Sequence, residues 1–435
     1  MISKLKSLFI SLSIRNYRIF FMGQGISLIG TWIQRTTMGW FVYRITGSAF
    51  LLGLVSFLSM IPSVFISPFA GAWADRWNRH HTMIITQVAF FIQTSLLAIL
   101  VLTGVINKDV QYPILILAAL QGIIEAIDAP IRQNFVMDLV EKRSMIPNAI
   151  ATNSAMFNGA RLVGPAVGGL LIIMFNEGVC FALNAVSYIP VIISLFFIRI
   201  SYPPVPKQKE STLKMIAAGV RYSWHSFPIR FLISNLAIYT LFGMSYATLM
   251  PVVAKDILHG NSGTQGLLMS TAGIGALTGS MILASKKNIR GMALRLVTVG
   301  LSFSVALVFF AFSQAMAFSM LLMIFIGFSM MMTMATTNTL IQSTVSDEMR
   351  GRVISLYTMS FSSMSPFGSL MVGSLSSRWG ARYTLLFCAG VCMLWSLNGL
   401  RLVPQFGRGI MRMLVSSKNT DVYRIKADPA EMVHT

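Results

Sequence analysis

Twelve stretches of about twenty mostly apolar residues, each long enough to cross a bilayer as a helix, run through the 435-residue chain. They cover roughly residues 18–42, 49–70, 82–104, 112–136, 147–173, 179–198, 229–253, 264–285, 292–312, 316–340, 353–376 and 383–403. In lipid, every backbone N–H and C=O must be bonded inside the protein, which leaves helices or a closed barrel. Runs of this length without strict alternation specify helices. The fold expected is an all-α membrane protein with twelve transmembrane helices in two six-helix halves. Composition agrees. Charged residues make up 11% of the chain and hydrophobic ones 55%, whereas a soluble domain carries about a quarter charged residues.

A net charge of +20, from 34 Lys and Arg against 14 Asp and Glu, would by itself fit a nucleic-acid partner. The positions of the cations argue otherwise. With the N-terminus placed in the cytoplasm, 26 of them fall in inside segments and five outside (Arg44, Lys108, Lys255, Arg378 and Arg382). That asymmetry is a positive-inside signature with both termini cytoplasmic, and nucleic acid drops out as a partner. The basic start runs directly into a full-length span, so no cleavable signal is expected. Pro203-Pro204-Val205-Pro206 and the surrounding Lys residues mark a linker. The expected organisation is an N-terminal half at 1–198, a cytoplasmic linker at 199–228, a C-terminal half at 229–404 and a cytoplasmic tail at 405–435.

Ionisable groups inside spans are costly and point to function by default. Five qualify: Arg35, Glu125, Asp128, Arg132 and Arg161. Gln121, Glu125, Asp128 and Arg132 share one face of the fourth span by their 4-3-4 spacing. Similar stripes read Gln24, Ser27, Thr31, Gln34 and Arg35 in the first span, and Asn235, Tyr239, Phe242 and Tyr246 in the seventh. The tenth carries Ser329, Thr333, Thr336, Thr337 and Asn338. Polar stripes on spans 1, 4, 7 and 10 are expected to line a cavity, with interhelical hydrogen bonding as the alternative for any one of them.

Counting 1.5 Å per residue puts Glu125 roughly 18 Å and Arg161 roughly 21 Å from the cytoplasmic ends of their helices. An ion pair between them is expected, with Asp128 and Arg132 forming an i,i+4 pair; a purely structural buried pair is the alternative for both. The intramembrane charge of +1 favours anionic or neutral cargo. All five histidines lie outside the spans. Proton coupling would therefore fall to a carboxylate, Glu125 first and Asp128 second.

Other chemistry finds no support. Three cysteines without a C-x-x-C pair give neither a disulfide framework nor a metal site. No phosphate-binding GK, H-E-x-x-H or G-x-S-x-G motif occurs, so neither enzyme activity nor a cofactor is expected. The methionines at 330, 331, 332 and 334 read as packing, or as a soft cavity wall.

The stretch Gly71-Ala72-Trp73-Ala74-Asp75-Arg76-Trp77-Asn78-Arg79-His80 resembles the G-x-L-A-D-R-x-G-R-R/K signature of the major facilitator superfamily, departing from it at Trp73, Asn78 and His80. Asp347-Glu348-Met349-Arg350-Gly351-Arg352-Val353 supports that resemblance. It implies that Gly71 serves a tight turn and that Asp75, Arg76 and Arg79 latch the halves together. Gly164-Pro165-Ala166-Val167-Gly168-Gly169 is similar to the G-P-x-x-G-G core of the antiporter motif in drug and metabolite exporters, with Ala160 where a glycine is usual. Ala118-Ala119-Leu120-Gln121-Gly122 resembles the fourth-helix R-x-x-Q-G motif without its Arg, which moves attention to Glu125, Asp128, Arg132 and Arg161. The stretches Gly30 to Gln34, Val42 to Ser48 and Asn158 to Pro165 resemble bacterial siderophore and macrolide exporters.

The resemblance implies a proton-coupled antiporter in the bacterial inner membrane, exporting a small organic molecule such as a siderophore or drug and working as a monomer. A lipid or lysophospholipid flippase of the same build and a non-transporting receptor or scaffold are the alternatives. The cavity candidates are Gln24, Thr31, Gln34, Arg35, Gln121, Asn235, Tyr239, Tyr246, Thr333 and Asn338.

Overall fold

The computed structural model describes residues 10–74, 77–140, 143–198, 212–284 and 291–416. After a short turn at Ile10–Ser13, the helices are α1 (Arg15–Thr46), α2 (Ala49–Ala74), α3 (Arg79–Leu102), α4 (Tyr112–Asp138), α5 (Ile146–Met174) and α6 (Glu177–Phe197). An amphipathic helix α7 (Thr212–His225) follows, and then α8, which runs from Phe227 to Ile257 through two π turns and a 3-10 segment. The chain continues with α9 (Ser262–Ala284), α10 (Met292–Phe312) and α11 (Met316–Thr344). The last helical stretch, Asp347–Ser416, breaks at Gly380, whose φ of 81° and ψ of 161° are not helical. We number its parts α12 (347–379) and α13 (381–416).

Among the described residues, ten stretches are long and apolar enough to cross a membrane, and the last of these contains both α12 and α13. Helix α1, 32 residues long, brings the crossing helices to twelve. Its own polar stripe lowers its apolarity. The turns follow local chemistry. Gly47 closes α1 in the left-handed region at φ 61°, where its N–H reaches Tyr43 O. Asn78 and Asn176 cap α3 and α6 through their side-chain oxygens. Prolines at the first turns of α4, α5 and α8 cost no helical bond there.

Successive crossings define two ends of the bundle. We call the end holding α7 the linker face and the opposite end the far face. Three apolar clusters fill the interior. One draws only on residues 17–198, including Tyr17, Met83, Phe135 and Leu195. A second draws only on residues 229–410, including Leu232, Leu296, Leu340 and Phe406. Both lie toward the linker face. The third joins the halves, with Met38, Leu52 and Phe181 from one and Leu268, Phe310 and Val372 from the other. It lies toward the far face. The halves are thus packed together at the far face and carry separate cores at the linker face.

Lipid is as apolar as leucine, so close van der Waals packing must hold such helices together. Small residues supply it. A Cβ on Gly53 would stand 2.6 Å from Ser369 O, and one on Gly373 2.7 Å from Ala49 O, so α2 and α12 meet backbone to backbone. A Cβ on Gly169 would stand 2.5 Å from Ser262 O, and one on Gly266 2.4 Å from Pro165 O, joining α5 to α9 in the same way. Ser262 and Ser270 add hydroxyl bonds to Gly169 O and Leu162 O. Outward-facing side chains such as Phe65, Phe196, Met281 and Leu394 are exposed, as lipid-facing residues should be.

Candidate transport site

A polar cleft opens between α1, α3, α4, α5 and α6, lined among others by Gln24, Thr31, Trp32, Arg35, Glu125 and Arg132. Its charged centre is an ion pair that the depth count did not anticipate. Arg35 Nη2 donates to both carboxylate oxygens of Glu125 at 3.2 Å. The side chains remain 43% and 30% exposed, so the pair stands open to the cleft. Arg161, expected as the partner of Glu125, instead places its guanidinium carbon 5.9 Å from the centroid of the Trp32 ring. Arg35 lies over the same indole at 5.3 Å. The two helices that carry Glu125 and Arg161 have their main packing partners elsewhere. Helix α5 packs along α1, where a Cβ on Gly164 would meet Trp32 Cβ at 2.3 Å. Helix α4 packs along α2, where a Cβ on Gly122 would meet Ser59 O at 2.6 Å. Arg35 therefore reaches Glu125 across the cleft, while Arg161 lies along α1 over Trp32.

Asp128 is held differently. It is 1% exposed, and its Oδ1 accepts from Thr86 Oγ1 at 2.7 Å and Gln87 Nε2 at 2.8 Å. Arg132 Nε approaches Oδ2 at 3.4 Å, which makes the i,i+4 pair on α4. With three donors on it, Asp128 ties α3 to α4. Glu125 keeps lone pairs facing the opening. A second network ties α1 to α4 and α6: Gln34 donates to Gln121 Oε1 at 3.1 Å and accepts from Asn184 Nδ2 at 2.5 Å. Thr31 satisfies its hydroxyl on Ser27 O within α1.

The stripes of the seventh and tenth spans turn elsewhere. Asn235 Oδ1 accepts from Trp395 Nε1 at 3.0 Å, and the Tyr239 hydroxyl pairs with Ser396 Oγ at 2.6 Å, so both face α13. Tyr246 is buried against Phe303 of α10. The expectation of one cavity-facing stripe assumed 3.6 residues per turn throughout. The π turn at Tyr239–Gly243 and the 3-10 turn at Met244–Leu249 break that spacing. On α11, Ser329 Oγ bonds Ser302 of α10, Thr333 is buried, and Asn338 accepts from Gln342 at 2.9 Å on an exposed surface. Met330 and Met332 are buried in apolar clusters, in keeping with packing.

Asp75 and Arg76 lie outside the described residues, as does the side-chain environment of Gly71. Arg79, expected to latch the halves, donates to both oxygens of Asp138 at 2.9 Å within its own half. In the α5 motif, Gly164 and Gly168 allow close approach to α1, while Pro165 and Gly169 lie against α9. Sequence reasoning missed Trp32, Thr86, Gln87 and Asn184. A Thr-Gln pair in an apolar third span and an Asn in the sixth were the available signals.

The profile of the transmembrane secretion effector family matches residues 6–406. The chain belongs to that family, within the major facilitator superfamily. It is 25% identical over 378 residues to the staphyloferrin A transporter of Staphylococcus aureus, covering 86% of this chain and 94% of that one. It is also 22% identical over 370 residues to the multidrug efflux pump Tap of Mycolicibacterium fortuitum, covering 84% and 88%. Among solved structures, a POT family transporter superposes with a TM-score of 0.71 at 13% identity, over 90% of this chain and 96% of the other. The nucleoside transporter NupG gives 0.68 at 14% identity, over 89% and 100%. This family member is therefore a multi-pass membrane transporter with the major facilitator fold, and not an enzyme.

Proposed function

We propose that this transporter is a secondary active exporter of a small organic molecule, a siderophore or drug, that exchanges its cargo for protons by alternating access. The observation that carries the reading is the Arg35–Glu125 pair, an intramembrane ion pair left 43% and 30% exposed in the polar cleft. Antiport requires cargo and proton to exclude one another. An ionised Glu125 accepts hydrogen bonds from cargo through both oxygens, whereas a protonated one loses its charge and presents an O–H donor in place of one acceptor. The efflux and siderophore names of the relatives support export over uptake.

In this reading the units that rock are 1–198 and 229–404, with 199–228 as tether and 405–435 as tail. The linker face is cytoplasmic by the distribution of Lys and Arg, in a bacterial inner membrane. Separate cores at that face and a shared core at the other describe a state open to the cytoplasm. A single copy suffices, since the cleft lies within one chain.

Everted vesicles energised to an acidic interior test the coupling. Adding siderophore or macrolide is expected to collapse the pH gradient in wild type and to leave it intact in Glu125→Gln. Equal collapse in both would remove Glu125 as the proton carrier.

A further inference from the structure

Helix α7 takes no part in the cleft or in the far-face seams. Its inner side docks on the start of α12. A Cβ on Gly219 would stand 2.8 Å from Arg352 O, Ser223 is buried, and Tyr222 packs into the apolar cluster of the C-terminal half. The outer side carries Ala217, Val220, Arg221 and Trp224 at helical spacing, all of them exposed, Trp224 by 68%. An exposed strip of this kind marks a surface that something covers, and its position in the chain says what. Trp224 lies three residues before Phe227, where a membrane-crossing stretch begins. Arg230 lies three residues past that start, less than one helical turn or about 5 Å inside. Its guanidinium carbon is 5.8 Å from the centre of the Trp224 ring, so the two side chains share one level. That level is the headgroup layer, where tryptophan and snorkelling arginine both settle.

The other edge of the same outer side is polar. Arg221 and His225 line a cavity of about 530 Å³ together with Ala218, Tyr222, Ser226 and Met349, the last from the first turn of α12. His225 Nδ1 donates to Arg221 O at 2.7 Å. No carboxylate among the described residues forms an ion pair with Arg221 or Arg230; Asp347, in the first turn of α12, is held by Arg350 at 2.6 Å. Residues 199–230 carry six Lys and Arg and one acid, Glu210.

We propose that this corner binds an anionic phospholipid, with its phosphate on Arg221 at the cavity and its acyl chains over Val220 and Trp224. An unpaired cation beside an apolar strip at the edge of the hydrocarbon matches a molecule that is anionic at one end and apolar at the other. A free anion would leave Trp224 bare, and an uncharged lipid would leave Arg221 without a counter-charge. Lipid held there ties the linker to the membrane surface at the linker face. The site lies apart from the cleft and does not depend on the export reading.

Binding to the full-length protein in an uncharged detergent tests the site with neither sidedness nor gradient. The probes are dioctanoyl phosphatidylglycerol, dioctanoyl phosphatidylcholine as the net-neutral lipid of equal chain length, and inorganic phosphate as the free anion. Cys180, Cys388 and Cys392 are buried, so a thiol-reactive dye reports unfolding. Phosphatidylglycerol is expected to raise the unfolding temperature of wild type at lower concentration than phosphatidylcholine, and phosphate is expected to have no effect. Arg221→Gln should raise the phosphatidylglycerol concentration required about fivefold, the scale of one cation at an anionic lipid surface, and Arg221→Lys should restore most of the response. Trp224→Ala should weaken both lipids. Arg378→Gln, at an exposed arginine on the far face, should respond as wild type does. Equal responses to the two lipids, a phosphate response matching that of phosphatidylglycerol, an unchanged response in Arg221→Gln or Trp224→Ala, or an equal loss in Arg378→Gln would each overturn the proposal.

Discussion

The hydroxyl of Tyr43, near the end of α1, donates to Oδ2 of Asp256 at the end of α8. This bond passes from one six-helix half to the other at the far face, and Lys255 Nζ sits 5.4 Å from the centre of the same tyrosine ring. Opening the transporter on that side has to break it.

Tyr43→Phe removes the hydroxyl and keeps the ring. One lost hydrogen bond of about 1 kcal/mol shifts a two-state equilibrium roughly fivefold, here toward the far-open state. Ser262 is buried in the α5–α9 seam, so a cysteine at that position is a reporter. Maleimide is expected to label Ser262→Cys several-fold faster when Tyr43→Phe is also present.

The seam itself can be wedged. A methyl at Gly266 would stand 2.4 Å from Pro165 O, a backbone atom with little freedom to retreat. Gly266→Ala is expected to fold, to populate the sealed far face less, and to transport poorly. Gly159→Ala, where nothing lies within 4 Å, is the matched control and should transport normally. Vesicle transport assays on the pair check the contrast.

A similar intrusion inside one half should act on stability. At Gly275 the added Cβ would come within 1.9 Å of Ile324 O, and at Gly327 within 2.0 Å of Ala272 O, at the α9–α11 contact. Overpacking on this scale costs about 1–3 kcal/mol. Gly275→Ala and Gly327→Ala are expected to lower the unfolding temperature in detergent by several degrees, whatever gradient is applied.

Asp138 holds Arg79 through both oxygens, with the two side chains only 22% and 13% exposed. Asp138→Asn keeps the shape and loses the charge. The expected loss is about 1 kcal/mol, below the range for a fully buried pair because water reaches this one. Thermal unfolding measures it, and the Arg79→Gln, Asp138→Asn double mutant should lose less than the sum of the singles.

His259 has φ of 50° and is the non-glycine residue with positive φ among those described. Its side chain is exposed. His259→Gly is expected to relieve left-handed strain of about 1 kcal/mol and raise the unfolding temperature slightly.

Span number and chain reversal were readable in the sequence because lipid allows so few solutions: twenty apolar residues between charged ends leave one structure. The polar faces of α1 and α4 were readable for a related reason, since Gln24, Gln34, Glu125 and Asp128 have no place in hydrocarbon. Which arginine meets Glu125 was not readable. Depth along a helix axis is a one-dimensional coordinate, while partner choice depends on which way each side chain turns about its helix. The seventh span shows a different limit. Asn235 and Tyr239 belong to a face defined by ordinary helical spacing, and the π turn that follows carries no residue pattern that announces it. Trp32, lying between two arginines, looked like any other aromatic in an apolar run.

The two far-face seams, Gly53 against Gly373 and Gly169 against Ser262 and Gly263, are made of main chain. Interlocked side chains would each have to leave a rotamer well for such a joint to part. Bare backbone surfaces slide or hinge as they stand, so at these two contacts no side chain has to leave its rotamer well. The seal of this transporter is smooth along these two seams, so what must disengage in every cycle lies beside the bare backbone: the Tyr43–Asp256 bond, the Ser262 and Ser270 hydroxyl bonds and the apolar side chains the halves share.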